Sequence, residues 1–416
     1  MDVALLLAVG MIVSAAADTI LPTLPAITET HACAPGMDPS AAAICLNQRA
    51  LDQEQRGDFA AASRTLEEAD RLWMRDARPR VSLRANILSN LGETYEQLGR
   101  WREARECFRN AIAVNESTVG RADVHTAYAM VRLATMEMLL GNPARAEELL
   151  NAALPIERRA LPDSALELSA ALSFTSMFEL QKGDIAGAAE LAREGVEASG
   201  SRSVESPDYA ANLTTLAGVY IVQHDLARAT PLLNRAIDIL ERRVGAEHPR
   251  LAPVLMSRAM ICQGERKTSL AEADAARAVA ILTRASGPDG IGTVWAKARL
   301  SGIYLDDGKT REAEDILPQA VERQRRFYDQ PNWRVAASIG ELARLRAAQS
   351  RSGEAEALYR ESLAMFEATA PNNPEAARTM RGYADLLRAE GGSKREIRRL
   401  MAKAKSILTA SEVVSR

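Results

Sequence analysis

The chain has 416 residues, 47% of them apolar and 26% charged, a balance that excludes a disordered polyelectrolyte. Its 52 Lys and Arg against 55 Asp and Glu leave a formal net charge of -3, and aromatics make up only 4%. A nucleic-acid surface needs a basic stripe or a supply of stacking rings, so no nucleic-acid partner is expected.

At the N-terminus, Val3 to Ala17 form an apolar run that ends at Asp18, with Ala15 and Ala17 at the small-residue positions before a signal cleavage site. The run is shorter than the roughly 20 residues of a membrane span. Residues 1–17 are therefore expected to be a signal peptide and the chain to be exported, periplasmic or extracellular, without a stable membrane span. A buried first helix is the alternative, and would leave the protein in the cytoplasm. Residues 18–40 carry Pro22, Pro25, Pro35 and Pro39, show no helical period, and are expected to form an irregular leader. Cys33 and Cys45 stand close together where the leader meets the first helix and are candidates for a disulfide. Cys107 and Cys262 fall on helix faces as small core residues.

From about residue 41 to 410 the chain repeats. Gly57, Gly99, Gly141 and Gly183 are spaced 42 apart, and His224, Arg266, Gly308, Ser350 and Gly391 continue the phase at steps of 41 or 42. Five residues after each turn stands Ala62, Ala104, Ala146, Ala188, Ala229, Ala271, Ala313 or Ala355. Seven residues before it stands Ala50, Gly92, Ala134, Ser176, Ala217, Ala259, Ser301, Ala343 or Ala384. Two small-residue columns in one phase predict nine antiparallel helix pairs, A then B, whose axes approach closely where small side chains face each other. Asp58, Asn142, Asp184 and Asp225 follow the turns as caps for helix B. Ser206-Pro207, His248-Pro249 and Asn373-Pro374 open helix A in a common phase. The sixth unit departs from the pattern, with Arg258 at a core leucine position and Gly264 two residues early, which predicts a distorted turn. The ninth carries Glu396 and Lys403 at core-like positions, as a solvated terminal cap would, and residues 411–416 are expected to be a tail.

Leu91-Gly92, Tyr95, Ala104, Phe108 and Ala111 resemble the tetratricopeptide consensus residue for residue. The 42-residue spacing, the His-Pro helix start and the stretch Leu213–Glu241 resemble the kinesin light chain type of this repeat. The resemblance implies an all-α, right-handed superhelical solenoid, with ligands lying along a concave wall lined by the A helices. By phase that wall runs from Asn86, Asn90, Glu93 and Arg132, through Phe174, Met177, Thr214, Met256 and Met260, to Trp295, Arg299, Glu341 and Arg344. Methionine adapts to varied shapes, and Trp and Arg are common hot-spot residues, so Asn86, Asn90, Arg132, Met177, Met256, Trp295, Arg299 and Arg344 are the candidate partner-binding residues. Phe174, Met177 and Met260 also suit a purely structural place between repeats. The Lys and Asn set with which carboxylate-clamp members grip a chain end is not repeated here, so capture of a C-terminal carboxylate is not expected.

Catalysis is not expected either. His31, His125, His224 and His248 have no ligand at metal-binding spacing, and neither a GxSxG elbow nor a GxxxxGK[ST] loop occurs. No metal or cofactor is predicted. Asn115-Glu-Ser117 and Asn212-Leu-Thr214 match the short glycosylation triplet. The expected function is a non-catalytic scaffold that binds a peptide or protein segment in its concave groove, with a sensory or regulatory module acting through a separate output protein as the alternative.

Overall fold

The computed structural model describes residue 33 and residues 36–76, 81–160 and 165–413, and every regular element among them is a helix. The apolar run at 3–17 and most of the leader lie outside these residues. The helices fall into nine consecutive pairs. They are α1 (Pro39–Gln55) with α2 (Phe59–Arg75), α3 (Val81–Gln97) with α4 (Trp101–Thr118), and α5 (Val124–Leu140) with α6 (Pro143–Arg159). Next come α7 (Ala165–Lys182) with α8 (Ile185–Arg202), α9 (Pro207–Val222) with α10 (Leu226–Arg243), and α11 (Leu251–Gly264) with α12 (Thr268–Ser286). The last are α13 (Ile291–Asp306) with α14 (Thr310–Phe327), α15 (Trp333–Ala348) with α16 (Ser352–Thr369), and α17 (Pro374–Ala389) with α18 (Lys394–Val413).

The small-residue columns sit where the helices of a pair cross. All eight alanines of the B column, from Ala62 to Ala355, are inaccessible to solvent. The A column is buried with them, and the Ser176 hydroxyl of α7 donates to the Ala188 carbonyl of α8 at 2.8 Å, joining the two columns directly. At Gly92 any Cβ would lie 2.7 Å from Cε1 of Phe108, so that crossing admits no side chain at all.

Asp58, Asp184 and Asp225 cap their B helices, accepting from the backbone N–H of Ala61, Gly187 and Arg228 at 3.0, 2.9 and 3.0 Å. Asn142 does not. Its amide donates to Glu137 Oε2 at 2.7 Å, and Pro143 already stands at the start of α6. The sixth turn is regular, contrary to the expected distortion. Arg266 takes φ 58°, and the Lys267 N–H reaches the Cys262 carbonyl at 2.8 Å, as Asp225 reaches Tyr220 in the fifth turn, also at 2.8 Å. The phase of the backbone hydrogen bonds decides the turn, and a non-glycine residue absorbs the left-handed conformation. In the same unit Arg258 replaces a core leucine by forking onto Asp274 at 2.7 and 2.8 Å and reaching Asn234 at 3.1 Å. Neither glycosylation triplet offers an acceptor, because Asn115 and Asn212 are both buried, and Asn212 is bonded to Ser173 and to the Asp208 carbonyl.

Cys33 and Cys45 are joined by a disulfide across a Cα separation of 5.8 Å, tying the chain before α1 to that helix. Cys107 and Cys262 are free and buried.

Beyond neighbour-to-neighbour stacking, the coil meets itself. A Cβ at Gly57, in the first turn, would lie 3.1 Å from the Pro249 ring at the start of the sixth unit. At Gly99, in the second, it would lie 2.7 Å from Cγ2 of Ile291 at the start of the seventh, and at Gly141, in the third, 3.7 Å from the Asn332 amide before the eighth. Each contact spans five units, so one superhelical turn brings units one to three onto units six to eight. Aromatic rings and an arginine close this seam. Trp101 meets Phe327 edge-on at 5.3 Å, and Arg102 donates to the Phe327 carbonyl and to Asp329 at 2.5 and 2.7 Å.

Candidate partner-binding wall

The A helices form the inner wall of the coil. Alternate members touch along it, α5 with α7, α7 with α9, α13 with α15 and α15 with α17. Through the middle of the molecule they are buried on every side. All residues of α9 from Ala210 to Val222 are buried, whereas its partner α10 buries only the stripe Ala229, Leu233, Ala236, Ile237, Ile239 and Leu240. The closed coil leaves the central units no solvated trough of the kind the phase alone suggests.

This closure separates the candidate residues into three groups. Arg132, Met177, Met256 and Trp295 lie in the packed interior, at 1, 2, 2 and 5% exposure, together with Phe174, Thr214 and Met260. Arg132 there pairs with the equally buried Glu96 and sits 5.8 and 5.4 Å from the Phe108 and Phe174 ring centres. Burial pushes the Glu96 carboxyl up to about 7, against the pull of Arg132. Asn86 and Asn90 are half-buried on α3, and the Asn90 amide donates to Asn47 of α1 at 3.0 Å.

Arg299 and Arg344 belong to a charged network on the inner wall of units seven to nine. Arg344 pairs with Asp306 at 2.7 Å and with Glu341 at 3.3 Å, and it donates to the Gly302 carbonyl at 3.1 Å. Arg378 reaches both Asp306 and Glu341 at 3.2 Å, and Arg299 pairs with Glu375 at 3.0 Å. The Arg299–Glu375 and Arg378–Asp306 pairs link α13 directly to α17 across α15, so the wall is sharply curved here. Burial would raise the Asp306 carboxyl, but Arg378 and Arg344 outweigh it and hold it below the usual carboxylate range. Arg344 and Asp306 nevertheless keep 26 and 34% side-chain exposure, so this network stays in touch with water.

Asp306, Glu375 and Arg378 were not among the candidates. Asp306 lies seven residues after Arg299, two helical turns along the same face, and that step would have found it. Arg378 and Glu375 carry no such mark, because their relation to α13 depends on curvature over two units.

Among the described residues no group of three or more His, Cys, Asp or Glu side chains is arranged to hold a metal ion. Burial pushes the Cys107 thiol up to about 12, which makes it inert. No helix among those residues is long and apolar enough to cross a membrane.

Residues 83–159 match a family model described as tetratricopeptide repeat, and residues 211–250 match a second model of the same description. The chain carries tetratricopeptide repeats. Its solenoid is similar to the structure of a Rap protein complexed with competence and sporulation factor, at a TM-score of 0.61 over 88% of this chain and 99% of that one, with 13% identity. At that identity the likeness is one of fold. Shorter stretches of the tetratricopeptide array are similar to BtubC (BKLC) from P. vanneervenii, at 20% identity, a TM-score of 0.40, and 49% of this chain against 83% of that one. They are also similar to the nearly identical TPR-like repeats of a putative kinesin light chain from Podosopora anserina, at 22% identity, a TM-score of 0.38, and 49% against 96%. A comparison with curated proteins finds no match. Tetratricopeptide arrays are protein-protein interaction scaffolds, and that general role carries to this chain.

Proposed function

We propose that this tetratricopeptide protein holds a peptide or protein segment on the charged inner wall of units seven to nine, without catalysing a reaction. The observation that carries the reading is the contrast along the wall. The middle units bury their A helices almost throughout, while Arg344, Arg378 and Asp306 remain within reach of water in a dense, mixed-charge patch around the buried Glu341. A segment with matched charges can exchange its own groups for those already paired there, which favours specificity over raw affinity.

The test is selection of a displayed random peptide library on the immobilised protein. Sequences enriched by the native chain should be lost with Arg344→Gln or Arg378→Gln and kept with Arg326→Gln, an exposed residue of α14. Equal enrichment by all three variants would sink the assignment of the wall.

A second reading, a regulatory module that signals to a separate output protein, is favoured by the seam. A coil whose early units rest on its late ones has a discrete contact that a ligand can open or close. X-ray scattering with and without a selected peptide distinguishes the two, since only the module changes its dimensions. The Cys33–Cys45 disulfide supports work in an oxidising compartment outside the cytoplasm. N-terminal sequencing of the chain from a secreting host tests this, and a chain found only intracellularly with Met1 retained would refute it.

A further inference from the structure

Three arginines among the described residues are less than a tenth exposed, and they differ in what they face. Arg132 holds Glu96, and Arg346 holds Glu314. Arg334, in the first turn of α15 and 1% exposed, has no carboxylate among the described residues. Its Nε and Nη2 are buried without a hydrogen-bond partner among those residues, and its carbon Cζ lies 4.7 Å from the centre of the Trp333 ring. Burial lowers its pKa, opposed only by Tyr328.

Two further buried donors make no regular hydrogen bond among the described residues, the Tyr328 hydroxyl just after α14, next to Arg334, and the Trp295 indole N–H from α13, next to Tyr328. Both neighbours lower the Tyr328 pKa against burial, Arg334 through its charge and Trp295 through its indole. The three groups lie beneath the seam, where Trp101 meets Phe327 edge-on at 5.3 Å and Tyr328 at a tilt at 6.4 Å.

The chemistry of the set is one-sided. A guanidinium and an indole can only donate, and a phenol can donate too. The unpartnered Nε and Nη2 of Arg334 form the side-on edge of the guanidinium, which matches two oxygens of a carboxylate or phosphate in a bidentate grip. A buried cation with no carboxylate beside it among the described residues disfavours the closed coil until an anion arrives. We infer that Arg334, Trp295 and Tyr328 form an internal seat for an oxyanion, a carboxylate or phosphate group, whose occupation holds the seam between unit two and units seven and eight. This seat lies apart from the inner-wall network and does not rest on the reading of that wall.

The experiment is thermal unfolding of the full chain at constant ionic strength, with chloride replaced stepwise by sodium acetate or by inorganic phosphate. The native protein should gain a saturable rise in midpoint with at least one of them. Response to acetate alone assigns a carboxylate, to phosphate alone a phosphoryl group, and to both their shared chemistry. Arg334→Met should abolish the rise and, in chloride, unfold at the same or a higher temperature than the native chain, because it removes an uncompensated buried charge. Tyr328→Phe should keep the fold and weaken the apparent affinity by about tenfold, the usual effect of losing a hydrogen bond to a charged group. No rise with either anion, an undiminished rise in Arg334→Met, or an Arg334→Met chain less stable in chloride would each overturn the inference.

Discussion

The seam can be tested with a pair of glycines that differ in one respect. Gly99 and Gly308 occupy the same place in their units and have nearly identical backbones, at φ 72° and 73°. A Cβ at Gly308 meets nothing within 4 Å, whereas one at Gly99 would lie 2.7 Å from Ile291 Cγ2 and 3.2 Å from the Ile291 backbone nitrogen. Gly308→Ala should therefore cost only the left-handed penalty, about 1–2 kcal/mol. Gly99→Ala should cost that plus an overpacking term of about 1–3 kcal/mol, because part of what it strikes is backbone that cannot rotate away. Gly57→Ala should fall between them, its contact being the Pro249 ring at 3.1 Å. The assay is the urea midpoint of each variant, with hydrogen exchange at the starts of α4 and α13 to locate the loss, since repeat arrays need not unfold in one step. Ile291→Ala removes the struck methyl, so in a double-mutant cycle with Gly99→Ala the two changes should cost less together than the sum of their separate costs, by about 1 kcal/mol or more. Equal costs at Gly99 and Gly308, with no coupling to Ile291, would mean that the coil does not close on itself, and the burial of the central wall would lose its explanation.

Arg266 and Ser350 hold left-handed backbone at φ 58° and 59° with exposed side chains, so Arg266→Gly and Ser350→Gly should each stabilise the fold by about 0.5–1 kcal/mol after the added freedom of the unfolded chain is deducted, read as raised urea midpoints. Glu157 is fully buried, and burial, Glu167 and Asp123 together lift its carboxyl from 4.5 to about 8. The folded chain keeps that proton where the unfolded chain has lost it, so stability should fall as pH rises from about 4.5 to 8, by on the order of 5 kcal/mol at most, and Glu157→Gln should flatten the slope between pH 5 and 8. Asp274→Ala should cost about 2 kcal/mol by stranding Arg258, a modest value because Arg258 is 22% exposed, and Arg258→Leu added to it should recover most of the loss in the same denaturation assay.

What could be read from the sequence, and what could not, divides along one physical line. Repeat phase reports contacts between neighbours, because each helix pair packs only on the pairs beside it. Hence the two small columns, the turn positions and the Asp caps were all legible, and the sixth turn was misjudged only by giving more weight to a glycine at 264 than to the phase of the hydrogen bonds. The same phase puts Arg132, Met256, Trp295 and Arg344 on A helices, α5, α11, α13 and α15. It could not say which of them would meet water, since that depends on a small rotation per unit summed over five units. Residues 42 and 192 apart in sequence, Gly57 against Gly99 and Gly99 against Ile291, show the two ranges side by side: the first relation is written in the repeat, the second only in its accumulated twist. Arg334 marks the limit most sharply. As a sequence position it is an ordinary charge in the first turn of a helix, and only closure of the coil over Tyr328 and Trp295 makes it a buried cation without a counter-charge among the described residues. A repeat whose units are nearly equivalent can thus carry a site that exists in one unit alone, because the superhelix, and not the repeat, decides where the chain is covered.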